Sequence, residues 1–366
     1  MSELATNIFN TEKSDYTKTP LFLGEPGALI DSINKQYPRI WTLYMKMKSL
    51  DWDPNEFDYS PCNNEFKSCP KSVYDIMIKT LAWQWEADSV AARQIGPLVA
   101  PFVSSTELWA AWQRVADNEM VHALTYSEIV RNSFDRPDDI LAEILSVKES
   151  FARLKTVASV MEKAYEVSHN YALGNVSKEV AYEAIFMFTV TLLVLERIQF
   201  MSSFAVTFAI AETGMFLPIG KAVQKICQDE FEVHVELDKA ILEIELATER
   251  GQQTYERLRP QIQQLVEEVY NSEGTWVEYA FSEGRELVGL NSTLLMEWVQ
   301  YNVTDVIDFL KLDFPFKPIR KNPLGFIEEW ISIGRIQTSP QEEKVGQYML
   351  GMVTDNAGDK AYDVDF

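Results

Sequence analysis

Three histidines and three cysteines are all that a chain of 366 residues carries of those two ligand types. Cys62, Cys69 and Cys227 are too few and too irregularly spaced for a disulfide framework or a thiolate metal site, which predicts reduced thiols in a cytoplasmic protein. Basic residues are also scarce: 33 Lys and Arg face 55 Asp and Glu, a formal charge of -22. A surface so acidic repels phosphate backbones and argues against nucleic-acid binding, while it favours solubility. The N-terminus, MSELATNIFNTEKSDYTKTP, lacks the apolar core of a signal peptide. The most hydrophobic run, AIFMFTVTLLVL at 184–195, is interrupted by Glu196 and Arg197. It is too short to span a bilayer and predicts a buried helix rather than a membrane segment. A Gly-rich phosphate loop and a redox dithiol pair are both missing, so neither nucleotide binding nor thiol chemistry is expected within this chain.

Apolar residues make up 46% of the sequence, enough for a large core. Their spacing is helical nearly throughout, with no run of alternating strand character and no internal repeat. Helices are expected at about 26–48, 72–95, 105–133, 138–170, 177–212, 217–247 and 252–287, with shorter ones near 291–311 and 324–332. Residues 51–72, rich in Pro and Asn, read as a long connection. Many long helices with short connections predict an all-α bundle with additional helices around it. Three segments follow: an N-terminal arm (1–20), a helical domain (21–335) and a flexible C-terminal tail (336–366), polar, acidic and without a sustained apolar period.

The chemistry begins in DNEMVHALTY, residues 117–126. Steps of three and four return to one helix face, so Glu119, His122 and Tyr126 form a stripe of two candidate metal ligands and a phenol. One acid before one histidine is a common coincidence in so acidic a chain. A second such pair strengthens the reading: in KICQDEFEVHVEL, Glu230 stands four residues before His234. His169, at a polar helix end, reads as an ordinary surface or capping residue. Glu196 is a lone acid in a strongly apolar helix, where an unpaired carboxylate is costly and needs a cation or a close donor. Arg197 points about 100° away and is a poor partner, which leaves a metal or an arginine of another helix. Asp88, in WQWEADSVAARQ, is a further acid on a long amphipathic helix. Four carboxylates and two imidazoles from four helices suit a pair of iron or manganese ions better than zinc, calcium or magnesium. One acid from each of two helices and a Glu/His pair from each of two more is the ligand pattern of ferritin-like di-metal bundles.

With these motifs together, the sequence resembles the small, radical-generating subunit of class I ribonucleotide reductase over about residues 20–350. The resemblance rests on EMVHALTY, on LERIQFMSSFAVTFAIAE (195–212) with Glu196, and on the Asp229–Glu230 pair before His234. It implies that Asp88, Glu119 and His122 bind one metal and Glu196, Glu230 and His234 the other, with Glu119 and Glu230 bridging. The family spaces its last pair as Glu-x-x-His, whereas Glu230-Phe-Glu-Val-His234 is one residue longer. Both spacings keep the pair on one face, at about −60° and +40° around the axis, and a local π-bulge would absorb the extra residue. Glu232 should point away.

The resemblance further implies a radical stored on Tyr126 in an apolar pocket of Phe200, Phe204 and Ile226. Trp52, hydrogen-bonded to Asp229 and through it to His122, would carry the radical outward. In the tail, Tyr348 with Glu342 as its acidic helper would pass it on, and Tyr362 and Phe366 would anchor a large subunit. The function implied is half of a ribonucleoside-diphosphate reductase: a cytoplasmic homodimer with two irons, manganese being possible, that supplies a tyrosyl radical for making deoxyribonucleotides. Rival readings are a di-metal carboxylate oxidase of the ligand-binding type, an iron-storage protein and a metal-free helical interaction scaffold. Tyr126, Trp52 and Tyr348 weigh against the first, Tyr126 and its apolar pocket against the second, and six candidate ligands on buried helix faces against the last.

Overall fold

The computed structural model describes residues 15–25 and 29–331. They fold into α1 (Pro38–Ser49), α2 (Ser60–Ser68), α3 (Lys71–Val99), α4 (Thr106–Ser133), α5 (Pro137–Ile144), α6 (Lys148–Ala172), α7 (Lys178–Val194), α8 (Met201–Ala211), α9 (Leu217–Asp229), α10 (Val235–Leu246), α11 (Glu249–Ala280), α12 (Ser292–Leu310) and α13 (Ile327–Ile331). Two π-helical segments, Leu195–Phe200 and Glu230–His234, join α7 to α8 and α9 to α10 without a break. Among the described residues the β pairing amounts to one isolated bridge, Phe22 with Val103. The expected all-α architecture is what the chain adopts.

Side chains at the helix starts satisfy orphan amides, each such cap contributing about 1 kcal/mol. Ser105 accepts from Leu108 N, Ser177 from Val180 N, Thr248 from Gly251 N and Asn291 from Leu294 N. Four expected boundaries need correction. The first helix starts at Pro38 rather than near 26, because proline is suited to the first turn and disfavours helix in the residue before it. The supposed connection 51–72 contains α2, again with a proline in its first turn. The expected helix 138–170 is broken into α5 and α6, where the Ser146 hydroxyl donates to the Glu143 carbonyl and competes with the ladder. The helix expected to reach 287 stops at Ala280, and Glu283 and Gly284 then take left-handed φ of 58° and 73°.

Core packing follows the apolar stripes. Helix α3 lies against α4 and α6, and α7 against α6, α10 and α11, while α12 covers the π segment at Leu195–Phe200. The α7–α8 unit, Lys178–Ala211, is long and apolar enough to cross a membrane, yet its most apolar window is 89% buried inside the protein. It is the central core helix, which explains an apolar character on every side. Leu21, Phe22 and Leu23 are buried beside the α3–α4 turn, held by Leu23 N donating to Phe102 O at 2.8 Å.

Among the described glycines, Gly251 leaves the least room for a side chain. A Cβ there would stand 1.9 Å from the Glu245 carbonyl oxygen, at the sharp turn between α10 and α11. Gly251→Ala is expected to destabilise the fold by about 1–3 kcal/mol. Denaturant unfolding would read it as a lower midpoint with an unchanged slope.

Candidate metal centre

Four helical units bring the six predicted ligands to one buried point. Helix α3 presents Asp88, α4 presents Glu119 and His122, the first π segment Glu196, and the second Glu230 and His234. All six are at most 2% exposed. Potential ligand atoms of Asp88, Glu119 and His122 lie within 4.8 Å of one another, as do those of Glu119, Glu196, Glu230 and His234. Glu119 belongs to both groups. Glu230 also reaches across, its Oε1 standing 2.9 Å from His122 Nδ1.

The extra residue between Glu230 and His234 is taken up as a π turn, whose wider winding keeps both side chains pointing inward. His234 Nδ1 stands 2.7 Å from Glu230 Oε2 and 3.4 Å from Glu119 Oε1. Glu232 turns outward as expected, and Lys46 of α1 bonds its carboxylate at 2.8 Å and its backbone carbonyl at 3.3 Å. That ammonium therefore satisfies a polar group at the irregular turn.

Both imidazoles aim Nδ1 into the cluster and use Nε2 outside it. His122 Nε2 is 3.2 Å from Asp229 Oδ2, and the same carboxylate oxygen accepts from Trp52 Nε1 at 2.8 Å. Trp52, Asp229 and His122 thus form a continuous line, with the indole stacked at 6.2 Å from the imidazole. His234 Nε2 lies 3.4 Å from Asn118 Nδ2. Asn118 and Asp238, both buried around His234, were not singled out from the sequence. The usable signal was their spacing: Asn118 precedes Glu119, and Asp238 follows His234 by one turn.

The electrostatics are those of a site short of positive charge. Burial first, then the Glu119 charge, pushes the Asp88 carboxyl well above the usual carboxylate range. Burial and neighbouring Glu230 do the same to Glu196. Burial also works against the charge on Glu230. The His234 charge and hydrogen bonds from Glu196, His122 and His234 outweigh it and hold Glu230 well below its ordinary value. Burial likewise opposes charge on the histidines. Hydrogen bonds to Asp229, Glu119 and Glu230 nonetheless raise His122 well above its ordinary value, and the Glu230 charge helps push His234 up to about 10. The neighbouring arginine does not compensate Glu196. Arg197 bonds Asn302 and, at 2.8 Å, Asp305 on α12.

Both oxygens of Asp88 and Glu196 Oε2 are buried without a hydrogen-bond partner. So many orphaned acceptors are expected where a cation belongs, and carboxylate oxygens with imidazole nitrogens suit first-row divalent metals.

Tyr126 is fully buried one turn beyond His122, and its hydroxyl has no hydrogen-bond partner. Burial first, then the charges of Asp88, Glu230 and Glu119, pushes the phenol well above its ordinary pKa. Phe200 and Phe204 are buried and stacked at 5.8 Å, and Ile226 is fully buried. His169 is exposed, bonded through Nδ1 to the Tyr165 carbonyl at 2.8 Å. Glu342, Tyr348, Tyr362 and Phe366 lie outside the described residues.

The chain as a whole is similar to known proteins. The chain is 26% identical over 373 residues to ribonucleoside-diphosphate reductase 1 subunit beta of Escherichia coli O157:H7, covering 96% of each. It is 22% identical to the subunit beta of Enterobacteria phage T4, covering 97% of each. Its fold matches the ribonucleotide reductase R2 subunit of Clostridium botulinum with a TM-score of 0.75 at 20% identity, over 90% of this chain and 98% of that one. The dimanganese(II) NrdF of Streptococcus sanguinis matches at 0.66 and 16% identity, over 83% and 99%. The pattern of the family described as ribonucleotide reductase, small chain, matches residues 30–323. On a ferritin-like bundle that brings two candidate metal-ligand groups together, that match over most of the chain makes it a member of the ribonucleotide reductase small-chain family, the beta subunits of ribonucleoside-diphosphate reductase.

Proposed function

We propose that this beta subunit binds two metal ions, generates a radical on Tyr126 and delivers it to a large subunit that reduces ribonucleotides. The observation that carries the reading is a buried phenol without a hydrogen-bond partner beside two overlapping ligand groups full of orphaned carboxylate oxygens. Asp88, Glu119 and His122 would hold one ion and Glu196, Glu230 and His234 the other, with Glu119 and Glu230 reaching both. When bound, the metal pair supplies an oxygen-driven one-electron oxidation. Iron is the first assignment; manganese accepts the same ligands and would call for an activating protein.

The residues of the chain do the rest. Tyr126 gives up an electron and its phenolic proton. The dry surroundings of Phe200, Phe204 and Ile226 keep out water and reductants that would quench it. Asp229 orients His122 from behind and accepts the Trp52 indole proton, so Trp52 can exchange an electron without leaving a bare charge in the core. In the tail, Glu342 and Tyr348 would continue the path, and Tyr362 and Phe366 would dock the large subunit. We assign the active form as a cytoplasmic homodimer with an arm at 1–20, a metal-binding domain at 21–335 and a docking tail at 336–366. An oxidase acting alone leaves the Trp52–Asp229 line without a use.

The test is reconstitution of metal-free protein with ferrous iron and oxygen, followed by metal analysis and electron paramagnetic resonance. Two irons per chain and a tyrosyl signal are expected, with Tyr126→Phe keeping the iron and losing the signal. Iron without a radical, repeated with manganese and an activator, would leave only the oxidase reading. Failure to bind either metal would remove the di-metal assignment.

A further inference from the structure

A second set of oxidisable rings leads away from the same centre. Phe200, one helical turn from Glu196, packs on Trp83 at 5.1 Å between ring centroids. Trp276 shares the Arg153 guanidinium with Trp83 and lies 5.7 Å from Tyr279, which is half-buried. A strong oxidant at the centre could lose its hole along this route to the surface, because indoles and phenols are the side chains most easily oxidised.

Every indole and phenol of that route carries a cation. The Arg153 guanidinium sits 3.8 Å from the Trp83 ring centre and 4.8 Å from that of Trp276. Lys79 stands 4.8 Å and Arg285 5.6 Å from the Tyr279 ring. Arg153 is 2% exposed and strongly fixed. It donates to both Glu273 oxygens at 2.6 and 2.8 Å, to Ser202 and Ser203, and to the Gln199 carbonyl. Those hydrogen bonds use the edge of the guanidinium, and its charge stands against both indole rings.

The contrast with Trp52 is one of sign. Trp52 Nε1 donates to the Asp229 carboxylate, an anion that stabilises an electron-deficient indole and can take its proton. Trp83 Nε1 has no acceptor, so a hole on Trp83 would stay positive beside a guanidinium. We infer that the Arg153–Glu273 pair is an electrostatic insulator: it raises the potential of Trp83 and Trp276 and confines oxidising equivalents to Tyr126 and the Trp52 exit. Resting on the proposed radical function, this gives the buried ion pair a protective role besides the contacts it makes between helices.

The leak it prevents is a one-electron step. Trp83 would lose one electron to the oxidised Tyr126, which takes up one proton to become the phenol again. A second one-electron loss, to a Tyr126 radical formed afresh with ferrous iron and oxygen, lets water add to the ring. Of the two protons released in all, one balances that regained by Tyr126 and the other goes to water, leaving an oxygenated indole.

The test uses the full chain in two arms. In the first, protein is loaded with ferrous iron and oxygen, and peptides are mapped by mass spectrometry for oxygenated Trp83, Trp276 and Tyr279. In the second, metal-free protein is irradiated with a ruthenium tris-bipyridyl sensitiser and persulfate. The ruthenium(III) formed takes one electron at Tyr279, whose proton goes to water. As the hole moves inward to Trp276 and Trp83, Tyr279 takes a proton back from water. A second ruthenium(III) oxidation and addition of water, with loss of two protons, complete the oxygenation.

Arg153→Gln combined with Glu273→Gln removes both charges and leaves polar groups. It is expected to raise oxygenation of Trp83 and Trp276 by about tenfold in both arms, the scale set by losing a desolvated cation beside an aromatic ring. Arg153→Lys, which keeps the charge, should label like the wild type. Adding Trp83→Phe to the double variant should restore the radical lifetime. Unchanged labelling in the folded double variant would overturn the inference. So would labelling of Arg153→Lys equal to that of the double variant, which would make the effect one of packing. Should the double variant not fold, Lys79→Met on the half-buried outer end is expected to increase Tyr279 oxygenation, and no increase would count against it. The metal-free arm stands even if the wild type forms no radical, so the two readings fail separately.

Discussion

Glu196→Gln is expected to abolish binding at the second ion position while leaving the metal-free fold intact. In the metal-free protein the Glu196 carboxyl is held well above its ordinary pKa and hydrogen-bonds to Glu230, so it behaves as a neutral donor. A glutamine amide reproduces that donor but is a poor metal ligand. The metal-free unfolding midpoint should therefore match the wild type, and metal affinity should fall by about 100-fold or more, beyond the usual cost of disturbing a ligand's supporting contacts. Glu119→Ala should go further and lose both ions, because Glu119 belongs to both ligand groups. Calorimetric titration with manganese, which avoids oxidation, distinguishes the two variants. If Glu196→Gln bound both ions as tightly as the wild type, Glu196 would not be a ligand.

The same titrations should depend on pH, with the sign fixed by the shifts. Asp88, Glu196, His122 and His234 all have raised pKa values, so at neutral pH the metal-free site holds protons that a metal must displace. Affinity should rise with pH, and proton release should appear as a buffer-dependent heat. His234 alone, raised to about 10, adds stability to the metal-free protein that is complete below its unfolded value of 6.5 and is lost as pH climbs toward 10.

Asp229→Asn is expected to separate making the radical from using it. The substituted amide would keep the shape but not the charge that accepts from Trp52 Nε1 at 2.8 Å and faces His122 Nε2 at 3.2 Å. The variant should load metal and show a Tyr126 signal near the wild-type level. Nucleotide reduction with the large subunit should drop by about 100-fold or more, the scale of losing a positioned proton acceptor. Full turnover in Asp229→Asn would show that the exit path does not use this carboxylate.

Much of this was legible in the sequence because charged residues in apolar helices are conspicuous. Glu196 stands out after twelve uncharged residues, and Glu119, His122 and Tyr126 share one face by spacing alone. The residues that escaped notice are those whose meaning depends on another element. Arg153, in SFARLKT, reads as an ordinary cation of an amphipathic helix; its burial against Glu273 becomes visible only when α6 and α11 pack. Asn118 and Asp238 look like solvent-facing polar residues until α4 and α10 converge on His234. Helix ends went wrong where a local hydroxyl or a left-handed residue cut short an apolar period, as at Ser146 and Glu283.

The turn at Glu230–His234 bears on how relatives of this chain are to be found. An insertion between two ligands would normally rotate one of them out of the site, so a search string fixed at Glu-x-x-His discards any gene that carries it. Here the added residue widened a single turn, and both side chains stayed on the inner face. Angular phase around the helix axis, rather than residue count, is therefore what keeps Glu230 and His234 together at this position. Surveys of genomes for such subunits should accept either spacing when the carboxylate–indole partner, Asp229 with Trp52 in this chain, is present as well.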